Sequence, residues 1–197
     1  MSNFHFPALL PALVLGLALV LAVLNDLKAR RIPNTLIVAG TTGAILLQLF
    51  MPAGAGLFHH PVGSAGVGVA LAGFACGLLL LLPFYVLHAL GAGDVKLMAM
   101  VGAFLGPASV AGAALLSMLA GGILALVVAL WSGQLRPVLN NVSHMLLSAL
   151  IRGVGGAGAT IDQPASTTGK LPYAISIACG TLLQLALHDW PAWHLFS

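Results

Sequence analysis

The chain has few residues that could carry out acid–base chemistry, because it contains only four carboxylates and no glutamate. They are Asp26, Asp94, Asp162 and Asp189. Asp26 and Asp94 each lie at the end of an apolar run, where a carboxylate close to hydrocarbon is costly and indicates a functional position. If these two side chains approach each other, they share a proton. One could then act as general base toward water while the other donates to a carbonyl oxygen, which is the chemistry of metal-free peptide hydrolysis.

Two glycines, Gly91 and Gly93, precede the second of these aspartates. Because they lack a Cβ atom, they allow a tight turn and the close approach of an extended peptide. Taken alone, G-x-G-D is more often a glycine-rich turn with a solvated aspartate at a helix end than a catalytic motif. The additional presence of Asp26 favours the catalytic interpretation.

The composition places these residues in a membrane. Hydrophobic residues make up 60% of the 197-residue chain and charged residues only 6%, whereas roughly a quarter of an ordinary soluble domain is charged. This excludes a soluble enzyme, a disordered tail and a nucleic-acid-binding module. Cys76 and Cys179 lie within apolar runs, which fits neither a disulfide framework nor a zinc finger. The adjacent His59 and His60 cannot form a metal site alone, so we predict no metal and no cofactor.

The apolar runs predict an all-α membrane protein, a single polytopic domain over residues 1–197 with about six transmembrane helices. The expected spans are residues 7–25, 35–51, 64–90, 95–106, 108–131 and 173–188. The fourth is short, because Gly106-Pro107 interrupts a longer run. Before the last span, one face of an interfacial helix is predicted from the spacing of Leu139, Val142, Leu146 and Leu150.

Two glycine pairs lie four residues apart within the predicted spans: Gly73 with Gly77, and Gly102 with Gly106. This small-x-x-x-small spacing is typical of helices that pack with their backbones close together. We interpret both pairs as structural.

The basic residues predict the orientation. All seven lie in the loops after the first, third and fifth spans, at Lys28, Arg30, Arg31, Lys96, Arg136, Arg152 and Lys170. By the positive-inside rule those loops are cytoplasmic, both termini are periplasmic, and Asp26 and Asp94 lie at the same cytoplasmic face. Contact with anionic lipid headgroups accounts for the positive charge, so we predict no nucleic-acid partner.

Three segments resemble the motifs of one family. Residues 26–34, DLKARRIPN, resemble its first catalytic motif, and residues 91–97, GAGDVKL, resemble the GxGD signature of membrane aspartyl proteases. Residues 170–175, KLPYAI, resemble a third segment that opens the last span. The segments occur in the family's order, and the chain is therefore similar to the prepilin peptidases, or type IV leader peptidases.

This resemblance implies an aspartic endopeptidase of the bacterial inner membrane that removes the leader peptide from type IV prepilin precursors at the cytoplasmic face. Motif matching makes Asp26 and Asp94 the catalytic pair. The residues that it places around the pair are Gly91, Gly93 and Lys96 at the second site and Ile32, Pro33 and Asn34 at the first. The implied partners are prepilin substrates, membrane lipids and the pilus-assembly machinery.

The chain departs from the larger members of the family in one respect. Those members carry a cytoplasmic insertion with paired C-x-x-C motifs and also methylate the new N-terminus, whereas this chain contains no C-x-x-C. We therefore expect cleavage without methylation. The short form is similar to the peptidases of tight-adherence, or Flp-type, pilus systems.

Two other functions are compatible with a small membrane protein of this kind. One is a transporter or channel that uses Asp26 and Asp94 as a proton or ion site. The other is a scaffold for a pilus machine with no chemistry of its own. Against the transporter, both aspartates are expected at one membrane face rather than near the midplane, and no internal repeat is evident.

Overall fold

The structure is a computed structural model, which describes residues 6–50, 66–86, 90–133, 143 and 173–188. All regular secondary structure in these ranges is helical. The helices are α1 (Phe6–Ala29), α2 (Asn34–Phe50), α3 (Val67–Val86), α4 (Ala92–Trp131) and α5 (Tyr173–His188). The prediction of an all-α protein is confirmed.

The helices also have the apolar character of membrane spans. Within the described ranges, three are long and apolar enough to cross a bilayer: residues Leu10–Ala29 of α1, all of α3 and all of α4. Helices α2 and α5 are shorter but also apolar. Large apolar side chains such as Leu13, Leu79 and Leu115 are mostly exposed, as expected for helix surfaces that meet lipid. The chain is therefore an all-α membrane protein.

The chain divides into two compact units. One comprises Met1–Gly121 with Pro172–Ser197, and the other Gly122–Leu171. The contacts that follow all lie within the first unit. The four residues of the predicted interfacial helix, and also His59, His60, Asp162 and Asp189, lie outside the described residues.

Helix α4 is broken at Gly106, whose backbone is not helical (φ 78°, ψ 172°). A Cβ atom on Gly102 would lie 3.2 Å from the Val110 side chain. Residues eight apart in a straight helix are separated by about 12 Å along the axis, so this contact requires the chain to turn back at Gly106. We call residues 92–105 the first arm of α4 and residues 107–131 its second arm.

Side chains of neighbouring helices stabilise this break. Pro107 has no N–H group, so the Ala103 carbonyl loses its usual donor within the helix. The side-chain amide of Gln48 on α2 replaces that donor, with Nε2 2.8 Å from the Ala103 oxygen. On α3, the Cys76 thiol donates to the Pro107 carbonyl at 3.6 Å. The break is thus held from two sides.

Replacing Gln48 with leucine should lower the free energy of unfolding by about 1 kcal/mol, because the buried Ala103 carbonyl would lose its partner. Removal of the Gln48 Oε1 atom, which is buried and has no partner among the described residues, offsets part of the loss. The measurement is equilibrium unfolding in detergent micelles. Thr42→Val, on an exposed position of the same helix, serves as control, and equal stability of the two variants would contradict the role of Gln48.

The first arm of α4 is the most deeply buried segment that the structure describes. Every residue from 97 to 106 is buried, and Leu97, Met98 and Met100 are fully enclosed. Such all-round burial requires neighbours on every side of the arm. The arm therefore holds its N-terminal end, where Asp94 lies, in a defined position.

Glycines allow the helices around this arm to pack closely. A Cβ atom on Gly73 of α3 would run into the backbone carbonyl of Gly102, and one on Gly77 would lie 2.5 Å from the Met98 carbonyl oxygen. Gly77 lies four residues after Gly73, whereas Met98 lies four residues before Gly102, so α3 and the first arm are antiparallel. Their backbones touch directly, without intervening side chains.

The remaining helices complete the first unit. Helix α1 packs against α2 and α5. The second arm runs antiparallel to α5, because Gly112 is next to Gln184 and Ser117 is next to Gly180. The C-terminal end of α1 and the N-terminal ends of α4 and α5 consequently meet at one end of this unit.

Candidate active site

Asp26 lies in the last turn of α1 and is almost fully buried, with 8% of its surface exposed. Its Oδ2 atom accepts a hydrogen bond from the backbone N–H of Ala174, at 3.2 Å. Ala174 is in the first turn of α5, where backbone N–H groups have no partner within the helix and the helix dipole favours negative charge. The start of α5 thus positions the Asp26 carboxylate.

Asp94 lies in the first turn of α4 and is partly exposed. Its Oδ2 atom accepts a hydrogen bond from the backbone N–H of Gly91 at 3.1 Å, which is half of a capping box. A Cβ atom on Gly91 would lie 3.1 Å from the same oxygen, so any side chain at that position would crowd the carboxylate. The first glycine of the G-x-G-D segment therefore both binds Asp94 and leaves room for it.

The structure brings the two aspartates together. Both lie at the end of the unit where α1 stops and α4 and α5 begin, Asp26 in the last turn of α1 and Asp94 in the first turn of α4. In the part of the chain that the structure describes, no three His, Cys, Asp or Glu side chains are grouped as metal ligands. The site contains two carboxyl groups, each of which accepts a hydrogen bond from one backbone N–H.

The six surrounding residues chosen from the sequence also gather here. The side chain of Ile32 packs over Gly93, with Ile32 Cβ 3.4 Å from where a Cβ on that glycine would lie. Lys96 Nζ donates to Asn34 Oδ1 at 3.0 Å. The Pro33 carbonyl accepts from Leu36 N at 3.1 Å and so opens α2. The segment after Asp26 is therefore in direct contact with the segment that carries Asp94.

Arg30 is a residue of the site that the sequence did not reveal. Its φ of 50° is in the left-handed region, which costs a non-glycine residue about 1–2 kcal/mol. Its N–H closes the last turn of α1 on the Asp26 carbonyl, at 2.8 Å. This conformation ends α1 at Ala29, three residues after Asp26, and leads the chain toward Ile32. Strained backbone of this kind is concentrated at functional sites.

We expect Arg30→Gly to be more stable than Arg31→Gly by about 1–2 kcal/mol, because only the first substitution relieves a left-handed residue. Both variants lose one exposed positive charge and gain the same backbone freedom in the unfolded chain. The difference in their free energies of unfolding in micelles therefore reports the strain at position 30. Equal values would mean that Arg30 is not strained.

Tyr173 is a second residue that the sequence did not single out. It opens α5, next to Ala174, and is half-buried. An aromatic residue at the start of an apolar run is usually a core or interface residue. The sequence did hold one signal for a role in the site: Tyr173 belongs to residues 170–175, the segment that opens the last span at the membrane face where both aspartates are expected. Two other polar residues near the motifs, His88 and Lys170, lie outside the described residues.

The fold and the site together define an all-α membrane protein with a pair of aspartates where three helix ends meet. The sequence matches the model of the Type IV leader peptidase family over residues 13–126, more than half of the chain. The chain belongs to this family, whose members are membrane proteases with prepilin-peptidase-type activity. No curated protein and no solved structure matches it. The family match includes both aspartates and ends before α5.

Proposed function

We propose that this protein is an aspartic endopeptidase that cleaves the leader peptide from type IV or Flp-type prepilin precursors at the cytoplasmic face of the inner membrane, without N-methylation. Asp26 and Asp94 would be the catalytic residues. One observation carries the proposal: the segment that follows Asp26 contacts the segment that carries Asp94, through the packing of Ile32 on Gly93 and the hydrogen bond from Lys96 to Asn34. Family membership supports the same class of reaction.

The proposed reaction uses both protonation states of the pair. The ionised carboxylate takes a proton from a water molecule, whose oxygen adds to the scissile carbonyl carbon. The protonated carboxyl group donates its proton to the carbonyl oxygen. When the tetrahedral intermediate collapses, one of its two hydroxyl groups returns a proton to the pair as the C=O bond re-forms, the C–N bond breaks, and the leaving amine takes a proton from the pair. The two aspartates finish the cycle with the single shared proton with which they began.

The remaining residues would hold this pair in position. The hydrogen bond from Lys96 to Asn34 and the packing of Ile32 on Gly93 join the two segments that carry the aspartates. Pro33 starts α2 between them. A pair of carboxyl groups must keep its separation throughout the reaction, and preorganised neighbours supply that constraint.

We also propose that the chain is a single polytopic domain that crosses the membrane six times. The spans would be α1, α2, α3, the two arms of α4, and α5. The exposed basic residues Lys28, Arg30, Arg31 and Lys96 lie near the aspartate end of α1 and α4, which supports a cytoplasmic position for that end and periplasmic termini. Lipid headgroups would contact these residues, and the pilus-assembly machinery is a further proposed partner.

The test is a cleavage assay in a membrane. The protein would be co-expressed with a panel of type IV and Flp-type prepilin precursors, and leader removal would be followed by gel shift and N-terminal sequencing. A variant that carries both Asp26→Asn and Asp94→Asn serves as the control, with membrane levels compared. Processing by the wild type alone is expected, and the mass of the new N-terminus shows whether it is methylated.

Failure of every precursor to be processed by well-inserted wild-type protein would contradict the proposal. Ion or proton flux in proteoliposomes that depends on the same two aspartates would then favour the transporter. Absence of both activities would favour the scaffold.

A further inference from the structure

The first turn of α5 contributes more to the site than the hydrogen bond to Asp26. Ala174 donates to Asp26 through its backbone, so the residue before it, Tyr173, is held next to the pair by the same turn. Tyr173 is one of only two tyrosines in the chain. It is half-buried and packs against the apolar core.

A glycine makes room for the Tyr173 ring. A Cβ atom on Gly121, in the second arm of α4, would lie 2.6 Å from Tyr173 Cε2 and 3.3 Å from its Cζ. Ser176, one turn further along α5, approaches the same position with its Oγ atom at 3.4 Å, and among the described residues this buried hydroxyl has no hydrogen-bond partner. The ring therefore lies against a bare stretch of backbone, which fixes its direction.

Tyr173 brings a hydrogen-bond donor, its hydroxyl group, to the end of the unit that holds the pair, because the backbone N–H of the next residue, Ala174, donates to Asp26 at 3.2 Å. The backbone N–H groups of Gly91 and Ala174 are already used, since each donates to one of the carboxylates. Lys96 donates to Asn34 on the exposed side of the site. Addition of water to a peptide carbonyl builds negative charge on its oxygen until the protonated aspartate has transferred its proton, and a second donor would stabilise that charge in the transition state.

We propose that Tyr173 is a third catalytic residue, whose phenol O–H donates a hydrogen bond to the carbonyl oxygen of the scissile bond as that oxygen becomes negatively charged. The phenol keeps its proton, so proton transfer remains with the aspartates. This inference rests on the proposed peptidase function. The site would then consist of α1, α4 and α5, each of which contributes one side chain.

The test is the rate of leader removal by Tyr173→Phe in the full-length protein in membranes. We expect kcat to fall about 10²-fold with little change in KM, because the lost donor acts mainly on the transition state. Tyr85→Phe, at an exposed position on α3, is the matched control and should retain the wild-type kcat. A wild-type kcat in Tyr173→Phe would overturn the inference.

A second pair of variants tests the same geometry without removing the hydroxyl. Gly121→Ala should displace the ring and lower kcat, whereas Gly122→Ala, whose added Cβ would meet no atom within 4 Å, should not. Unfolding midpoints in micelles separate a loss of rate from a loss of folded protein. Equal kcat values for the two alanine variants would contradict the role of Tyr173.

The outcomes distinguish this inference from the function on which it rests. If wild-type protein cleaves and the aspartate variants do not, a fully active Tyr173→Phe overturns the role of Tyr173 alone. If wild-type protein cleaves no precursor, both the peptidase function and the role of Tyr173 are contradicted.

Discussion

Asp26→Asn and Asp94→Asn are each expected to reduce leader removal by at least about 10³-fold, because an amide can neither take a proton from water nor return one to the leaving amine. The single substitutions should be as damaging as the double one, since the two carboxyl groups act as a unit on a shared proton. The measurement is the initial rate of cleavage in membranes at equal protein levels.

The structure explains why these variants should still fold. In Asp94→Asn the side-chain oxygen can still accept the hydrogen bond from Gly91 that starts α4, and in Asp26→Asn it can still accept from Ala174. Asp162→Asn and Asp189→Asn make the same chemical change at the other two aspartates and should cleave at the wild-type rate. Retained cleavage in both Asp26→Asn and Asp94→Asn would rule out the two-aspartate mechanism.

Gly73→Ala should destabilise the protein by about 3 kcal/mol, because its added Cβ would collide with the backbone carbonyl of Gly102. A backbone atom in the buried first arm cannot move aside as the end of a flexible side chain could. We therefore expect α3 and the first arm to separate, and with them the support of Asp94. The readouts are the free energy of unfolding in micelles and the yield of inserted protein.

Gly68→Ala is the matched control for that substitution. It lies on the same helix, and its added Cβ would meet no atom within 4 Å. There the higher helix propensity of alanine should dominate and stabilise the protein by about 0.5–1 kcal/mol. Equal stability of Gly73→Ala and Gly68→Ala would contradict the close backbone contact between α3 and the first arm of α4.

The sequence predicts the features that depend on local composition. Apolar runs gave the helices, and the Gly106-Pro107 pair predicted a break where the structure has one. Asp26 and Asp94 could be predicted as site residues because they lie in the polar segments that interrupt those runs, and the chain has only two other carboxylates. A chain with so few charges leaves little ambiguity about which of them could act on a substrate.

The features that the sequence did not predict depend on contacts between distant residues. Ala174 binds Asp26 although the two are 148 positions apart, and a backbone donor has no sequence signature. The spacing of Gly73 and Gly77 indicated close packing but not that Gly102 is the partner. Likewise, Tyr173 gains its position from Gly121. The left-handed conformation of Arg30 is unexpected, because glycine or asparagine usually occupies that position.

The reversal at Gly106 has a consequence for the lipid around the protein. At roughly 1.5 Å per residue, the arm from Ala92 to Leu105 is about 21 Å long, whereas the hydrocarbon core of a bilayer is about 30 Å thick. Neighbouring helices enclose this arm over residues 97–106, so lipid does not contact it there and its length does not have to match the bilayer. The lipid contacts the exposed apolar side chains of the other helices instead, so a helix too short to span a bilayer can support Asp94 inside the protein without thinning the membrane.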